Sequence, residues 1–369
     1  MSTPKLTRVA AALKGAGLDA LILLPGPNLY FTLGINQMLR KRPIIYVVFP
    51  DGSLAASLPL LEVPDFRTKW PDAEVLSWTD AEGPEAAAKR LGAVVQARAR
   101  SGAPRVAAEH FTLRLFERGL LLPGLAGTEL EPAEGILDPL RMVKDPEDVE
   151  AMRRACRIAE ESLERVVNRF RPGMTEREIA NELKIEMLRL GTEELPKEPV
   201  VSSGPRTAFP HTKTSDRPVN TGEALMIDTG ARSHGYCSDI TRTFFVGPPP
   251  EKYVELYELE LTVSRRVLEA IRAGVTLSSL DETAHRVMAE AGYDRYFPHR
   301  VGHGLGIEGH EVPSVVTGNA TVTSPGLTFT VEPGIYIPDL GGVRVEENVA
   351  VTKDGVDVLT AYPRELRSI

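Results

Sequence analysis

The sequence contains few cysteines and no long apolar segment. Cys156 and Cys237 are the only cysteines among 369 residues, which excludes a fold held together by several disulfides. The longest apolar runs, such as residues 21–24, fall far short of the ~20 residues that span a bilayer. The first residues also lack the apolar core and cleavage pattern of a signal peptide. We therefore expect a soluble, cytoplasmic protein with reduced thiols and no membrane partner.

Basic residues are in the minority as well. The chain has 43 Lys and Arg against 51 Asp and Glu, a net charge of −8, and its one compact basic run spans only residues 40–42. Proteins that bind nucleic acids usually present a basic face, so we expect no nucleic-acid partner. The rest of the composition, 42% hydrophobic and 25% charged, is that of an ordinary globular protein. At about 100–200 residues per domain, the length predicts two or three domains.

The first domain is predicted to be α/β and to cover residues 1–138. Strand-like segments at 19–24, 44–49 and 105–109 alternate with helical patterns such as residues 84–100. This part contains neither of the glycine-rich patterns that bind nucleotide phosphates. Asp145 followed by Pro146 then marks a helix start, because Asp is a good N-cap and Pro is favoured at the first helical position. The second domain is therefore assigned to residues 139–369.

An internal repeat organises this second domain. Residues 171–191 and 272–292 share five identical positions at a constant offset, each with a Gly-apolar-Thr start, an amphipathic helix and a closing glycine. Each copy is followed by two strand-like segments that carry carboxylates. These are Asp228 and Asp239 in the first half, and Glu332 and Glu346 in the second. The pattern predicts two similar αβ units related by a pseudo-two-fold axis, each with one hairpin that presents two carboxylates.

The four carboxylates indicate a metal centre. Asp228 and Glu332 each follow an apolar run, where acidic side chains are rare unless they are paired or bound to a cation. His303, which lies between two glycines, is the candidate imidazole ligand. Taken singly, each residue is also explained as a turn, loop or strand residue, whereas the five together favour metal. A donor set rich in oxygen suits Mn²⁺ or another first-row ion, and it could also hold Zn²⁺.

Six motifs in the second domain carry a family resemblance. They are Pro210-His211-Thr212, Ile227-Asp228-Thr229-Gly230, Ser238-Asp239-Ile240-Thr241-Arg242-Thr243, His299-x-x-Gly302-His303-Gly304-Leu305-Gly306, Val331-Glu332-Pro333-Gly334-Ile335-Tyr336 and Gly342-Val343-Arg344-Val345-Glu346. As a set they resemble the pita-bread metallopeptidases, and within these the Xaa-Pro peptidases, namely prolidase (Xaa-Pro dipeptidase) and aminopeptidase P. The resemblance implies a creatinase/prolidase-like α/β N-terminal domain, followed by an α+β pita-bread catalytic domain with an internal pseudo-two-fold repeat.

The resemblance also assigns expected roles to residues. It implies that five residues ligate a two-metal centre: Asp228, Asp239, His303, Glu332 and Glu346. Asp239 and Glu346 would bridge the two ions, and Glu332 would in addition carry a proton from the nucleophile to the leaving nitrogen.

Three further residues are expected to serve the substrate. His211 and His310 match two histidines of the family that do not bind metal, and they would donate hydrogen bonds to a substrate oxygen or to the reaction intermediate. Arg344 would either orient the ligands or contact substrate, and an ordinary salt bridge is the alternative for it.

The function implied is metal-dependent hydrolysis of Xaa-Pro bonds by a hydroxide that bridges two divalent metal ions. Mn²⁺ is the first expectation for the metal, with Co²⁺ or Zn²⁺ as alternatives. The expected partners are proline-containing dipeptides or short peptides, and a second copy of the chain in a homodimer. Xaa-Pro dipeptidase is the leading function. Aminopeptidase P, which acts on longer peptides, and a catalytically inactive peptide- or protein-binding module are the alternatives.

Several residues near these motifs are expected to play lesser parts. We expect His299 to support the ligand loop, His234 to lie in a hairpin turn and Cys237 to serve packing only. His285 is predicted on a solvated helix face, because the other copy of the repeat has a lysine at the equivalent position. Glu347 is predicted to be exposed, because it points to the opposite strand face from Glu346.

Overall fold

The structure is a computed structural model that describes residues 3–100, 102–125 and 127–369. The chain divides into two compact units, Met1–Arg141 and Met142–Ile369. This division falls three residues beyond the position that the sequence pattern suggests. Among the described residues, no helix combines the length and the apolar character needed to cross a bilayer.

The first unit is built on a six-stranded mixed sheet with helices. Its elements are α1 (Pro4–Ala16), β1 (Ala20–Leu23), α2 (Pro27–Leu33), β2 (Ile45–Val48), β3 (Leu54–Pro59), α3 (Val63–Lys69), β4 (Glu74–Trp78), α4 (Glu85–Ala97), β5 (Val106–Ala108), α5 (Leu115–Leu121), β6 (Leu130–Pro132) and α6 (Glu134–Met142). The strand order is β4-β3-β2-β1-β5-β6, and β1 runs antiparallel to β2 but parallel to β5. Every residue of β1, β2 and β5 is buried, as expected for central strands that are covered on both faces. The predicted strands and the predicted helix at 84–100 are therefore confirmed.

The second unit contains four α-helices and thirteen strands within its described residues. These are α7 (Pro146–Arg169), α8 (Glu176–Arg189), β7 (Val200–Ser203), β8 (Ala224–Thr229), β9 (Arg232–Ser233), β10 (Tyr236–Cys237), β11 (Ile240–Phe245), α9 (Glu251–Ala270), α10 (Leu277–Glu290), β12 (Gly302–Gly304), β13 (Glu311–Val315), β14 (Thr328–Val331), β15 (Gly334–Ile337), β16 (Gly341–Arg344), β17 (Glu347–Val351), β18 (Val356–Val358) and β19 (Arg367–Ser368). They form a four-stranded sheet (β19-β11-β8-β7), a five-stranded sheet (β13-β12-β14-β17-β18) and two short ribbons, β9 with β10 and β15 with β16.

The internal repeat is visible in this topology. The order β7-β8-β11 in the first half has its counterpart in β12-β14-β17 in the second. Each half contains an antiparallel strand pair, β8 with β11 or β14 with β17. In each half the two strands of one short ribbon lie between the members of this pair in the sequence. Each half also has its own apolar cluster, to which its two helices contribute. The predicted pair of αβ units with one carboxylate-bearing hairpin each is thus confirmed in outline.

The two copies begin their second helix in the same way. The Thr175 side chain accepts a hydrogen bond from the N–H of Glu178 at the start of α8, and Thr276 accepts one from the N–H of Ser279 at the start of α10. Gly173 and Gly274, two residues earlier, have positive φ angles of 96° and 90°. Glycine adopts this conformation without the strain that a side chain would cause, which explains why it recurs at both positions.

The two caps differ in one respect that can be tested. The Glu178 carboxylate accepts a hydrogen bond from the Thr175 N–H at 2.7 Å, which completes a capping box, whereas Ser279 accepts none from the Thr276 N–H among the described contacts. We expect Thr175→Ala to cost about 1 kcal/mol of unfolding free energy, which lowers the melting temperature by about 2–4 °C. Thr276→Ala is the matched control and should cost less, because only the Thr175 hydroxyl also donates to the carboxylate of Glu178, at 2.9 Å. Equal losses in the two variants, measured by calorimetry, would contradict a stabilising role for this additional contact.

One sequence-based prediction is wrong and a second is met only in part. Glu347 is fully buried, because Arg242 and Arg364 donate to its carboxylate at 2.8 and 2.9 Å and thereby cover the strand face that was expected to meet water. His285 is partly solvated, with its side chain 36% exposed, but it also makes specific contacts. Its ring packs on Phe297 with centroids 4.8 Å apart, and its Nδ1 lies 2.6 Å from the carboxylate of Asp294.

Candidate metal centre

All eight residues singled out by the sequence line one cavity of about 570 Å³ in the second unit. They are Asp228, Asp239, His303, Glu332, Glu346, His211, His310 and Arg344, and the wall is completed by Lys197, Pro210, His299 and Arg300. The cavity therefore brings together side chains that lie up to 149 positions apart in the sequence.

The two hairpins place the four carboxylates symmetrically. Asp228 lies near the end of β8 and Glu332 directly follows β14, while Asp239 and Glu346 directly precede β11 and β17. Because β8 pairs with β11 and β14 with β17, the two carboxylates of each half emerge at the same end of their strand pair. This strand register places the two carboxylates of each half side by side, as the sequence pattern predicts.

The donor atoms form three overlapping groups in which all atoms lie within 4.8 Å of one another. The groups are Asp228 with Asp239 and Glu346, His303 with Glu332 and Glu346, and Asp239 with His303 and His310. Glu346 belongs to the first two groups, so these describe two adjacent positions that share one carboxylate. Oxygen donors with a single imidazole suit hard or borderline divalent ions. The residues present therefore fit a metal centre, and His310 also comes within reach of it.

The carboxylates have divergent acidities. Burial opposes ionisation of Asp228 and Glu332, but nearby positive groups outweigh it. Lys197 and Arg344 lower the pKa of Asp228, and the hydrogen bond from His303 at 3.2 Å lowers that of Glu332 to about 2. Burial instead raises the pKa of Asp239 to about 6. The pKa of Glu346 is raised well above its usual value by burial and by the charges of its neighbours. Neighbouring carboxylates repel one another when all of them are ionised, and a bound cation would relieve that repulsion.

Neighbouring polar residues hold the acidic side chains in place. Thr241 donates to the Glu346 carboxylate at 2.7 Å, and Thr330 donates to Glu332 at 3.1 Å. The side chain of Asn348 both accepts from the backbone N–H of Asp239, at 2.9 Å, and donates to its carbonyl oxygen. Such contacts would orient these side chains for a metal ion.

Arg344 lines the same cavity and contacts one of the candidate metal ligands. Its guanidinium donates to Asp228 at 2.7 Å, to the hydroxyl of Thr241 at 3.1 Å and to the hydroxyl of Tyr336 at 3.0 Å. His299 contacts the same Tyr336 hydroxyl through Nε2 at 3.0 Å. Because Arg344 is only 4% exposed, its geometry favours orientation of Asp228, and contact with substrate remains a prediction.

The two histidines expected to serve substrate, His211 and His310, are both exposed at the cavity wall. Only His310 contacts His303, with the two rings tilted by 50° and their centroids 3.7 Å apart. Burial and the positive charges of His303 and Lys197 lower the pKa of His310 to about 4, so its ring is neutral near pH 7 and keeps one N–H donor.

Lys197 was not predicted from the sequence. It lies between α8 and β7, and its ammonium group contacts both Asp228 and Asp239. Burial lowers the pKa of this lysine, but the two aspartates outweigh that effect and raise it above its usual value. It stands in the segment Leu195-Pro-Lys-Glu-Pro199, where no periodicity or recognisable motif distinguishes it from a surface lysine.

Comparison with known proteins agrees with this geometry. The model of metallopeptidase family M24 matches residues 150–353, and that of the creatinase/prolidase N-terminal domain matches residues 5–143. The chain belongs to metallopeptidase family M24. It is thus a hydrolase of a metal-dependent family, and the predicted creatinase-like and pita-bread architecture is confirmed.

Named relatives include dipeptidases and an aminopeptidase. A Xaa-Pro dipeptidase of Pyrococcus furiosus is 40% identical over 64% of this chain and 68% of its own. The structure of a dipeptidase from Pyrococcus horikoshii has a TM-score of 0.91 at 32% identity, covering 99% of this chain and 100% of that one. The structure of an X-Pro aminopeptidase from Thermotoga maritima has a TM-score of 0.86 at 28% identity and covers 100% of both chains.

Proposed function

We propose that this M24 peptidase is a Xaa-Pro dipeptidase that uses two divalent metal ions. The observation that carries the proposal is the pair of adjacent donor groups that share Glu346 inside one cavity of about 570 Å³. A cavity of this size has room for a small peptide. The named dipeptidases among the relatives support Xaa-Pro dipeptides as the substrate class.

Five side chains would hold the metal ions: Asp228, Asp239, His303, Glu332 and Glu346. Metal ions held there would lower the pKa of a bound water from ~15.7 to about 7 and polarise the scissile carbonyl. Mn²⁺ is the first candidate, because four of the five donors are carboxylates. Co²⁺ and Zn²⁺ are the alternatives.

The surrounding residues would position substrate and move a proton. The Xaa-Pro bond is a tertiary amide without an N–H, so recognition has to rely on oxygens, ring shape and the free amino terminus. His211 and the neutral ring of His310 would donate hydrogen bonds to the substrate carbonyl. Glu332, placed by Thr330 and His303, would accept the proton of the nucleophile and pass it to the proline nitrogen as the bond breaks.

The test compares two substrates on one enzyme preparation. The metal-free protein is loaded with Mn²⁺, Co²⁺ or Zn²⁺ and offered a Xaa-Pro dipeptide and a Xaa-Pro-Xaa tripeptide side by side. We expect cleavage of the dipeptide, with release of free proline, and little cleavage of the tripeptide.

The other two outcomes separate the alternatives. Cleavage of the tripeptide alone would assign aminopeptidase P activity, which the likeness to the Thermotoga maritima enzyme supports as the second candidate. Metal binding without cleavage of either peptide would favour a non-catalytic binding module. Formation of a homodimer and a cytoplasmic location stay predictions from the sequence.

A further inference from the structure

Lys197 places a positive charge inside the proposed metal centre. Its ammonium group contacts Oδ1 of Asp228 and Oδ1 of Asp239 at the same time. These two carboxylates, together with Glu346, form one of the donor groups whose atoms lie within 4.8 Å of one another. The ammonium therefore engages two of the three carboxylates that a metal ion in this position would need.

Lys197 and Arg344 differ in how firmly they are held. Arg344 touches Asp228 through the other oxygen, Oδ2, and is also fixed by the hydroxyls of Thr241 and Tyr336. Lys197 comes from the segment between α8 and β7, and its side chain is 27% exposed. A long, flexible side chain that reaches the carboxylates from the solvent side can leave them without moving either strand.

An ammonium and a divalent ion cannot both occupy the same pair of carboxylates. The two cations would repel each other at close range, and the oxygens that contact the ammonium would be the ones needed for coordination. The second donor group, His303 with Glu332 and Glu346, has no described contact with Lys197. The two halves of the centre are therefore expected to differ in their affinity for a metal ion.

We propose that Lys197 is a built-in cation that competes with metal for the Asp228–Asp239 half of the centre. The proposal rests on the metal ligands of the proposed function. A first ion then binds at His303, Glu332 and Glu346, where Lys197 competes only for the additional carboxylate of Asp239. A second ion has to displace the lysine side chain from both aspartates and binds more weakly for that reason.

The first test measures binding of Mn²⁺ alone by calorimetry to metal-free wild type, Lys197→Met and Lys213→Met. Lys213 is an exposed lysine sixteen residues along the chain, so its variant removes the same charge without touching the carboxylates. We expect the weaker binding step to become about tenfold tighter or more in Lys197→Met, and to change little in Lys213→Met. Unchanged binding in Lys197→Met, or an equal gain in both variants, would overturn the proposal.

A second measurement uses the unaltered chain and does not depend on whether Lys197→Met folds. Lysines are reductively methylated with and without saturating Mn²⁺, and each site is quantified by mass spectrometry. Modification of Lys197 should rise several-fold when Mn²⁺ is present, while Lys213 stays constant. Equal modification of Lys197 in both states contradicts displacement. If none of the three proteins binds Mn²⁺, the proposed metal centre itself is wrong and this inference falls with it, which separates the two failures.

Discussion

Replacing Asp239 by Asn is expected to lower kcat/KM for a Xaa-Pro dipeptide by about 10³-fold or more and to remove at least one bound metal ion. Asp239 belongs to two of the three donor groups, so its carboxylate is available to both halves of the centre. The Lewis acidity of a metal ion contributes several kcal/mol to stabilising the transition state, and each 1.36 kcal/mol is worth about a factor of ten in rate.

The variant is chosen so that the fold survives. The backbone of Asp239 is held by the Asn348 side chain through both its N–H and its carbonyl, and these contacts do not involve the carboxylate. Asn has nearly the same shape as Asp. The change also removes a buried negative charge that burial and the neighbouring Asp228 disfavour. Metal content is measured by elemental analysis beside turnover.

A charge control accompanies this variant. Asp216→Asn removes one negative charge at a carboxylate that is 77% exposed and paired with Arg177, away from the cavity lining. It should keep full activity and full metal content. Near-normal turnover of a folded Asp239→Asn protein would refute the two-metal centre.

The sequence predicted the residues that line the cavity better than it predicted their surroundings. Asp228, Asp239, Glu332 and Glu346 are recognisable because the chain contains the same hairpin twice, and a repeated carboxylate is hard to explain as a turn residue. The prediction from strand periodicity that Glu347 is exposed was wrong. Alternation indicates only that neighbouring side chains point to opposite faces. Whether the second face meets water depends on Arg242 and Arg364, which come from other parts of the chain.

Contacts between distant parts of the chain could not be predicted from sequence patterns. Lys197 meets Asp228 and Asp239 only because the segment before β7 runs past the cavity, and no local pattern encodes that path. Asn348 is similar, since its clamp on the backbone of Asp239 joins residues 109 positions apart. In both cases tertiary packing determines which side chains meet, whereas residue type and spacing describe only local structure.

Replacing Glu332 by Gln is expected to lower kcat by about 10²–10⁴-fold, the usual contribution of a positioned general base or acid. The Glu332 carboxylate is hydrogen-bonded by Thr330, and the hydrogen bond and charge of His303 lower its pKa to about 2 against the effect of burial. It is thus ionised at neutral pH, which is the form that can accept a proton. Gln keeps the length and one oxygen of the side chain but cannot take up a proton.

A comparison with Glu346→Gln separates proton transfer from metal binding. Glu346 belongs to both donor groups of the proposed centre and contacts Thr241, so its replacement should reduce metal content together with turnover. Glu332 belongs to one donor group, so its Gln variant should retain more Mn²⁺ and yet lose as much turnover or more. If turnover in both variants simply followed metal content, and saturating Mn²⁺ restored Glu332→Gln, Glu332 would be a ligand alone. A loss that persists at full metal occupancy is what proton transfer by Glu332 requires.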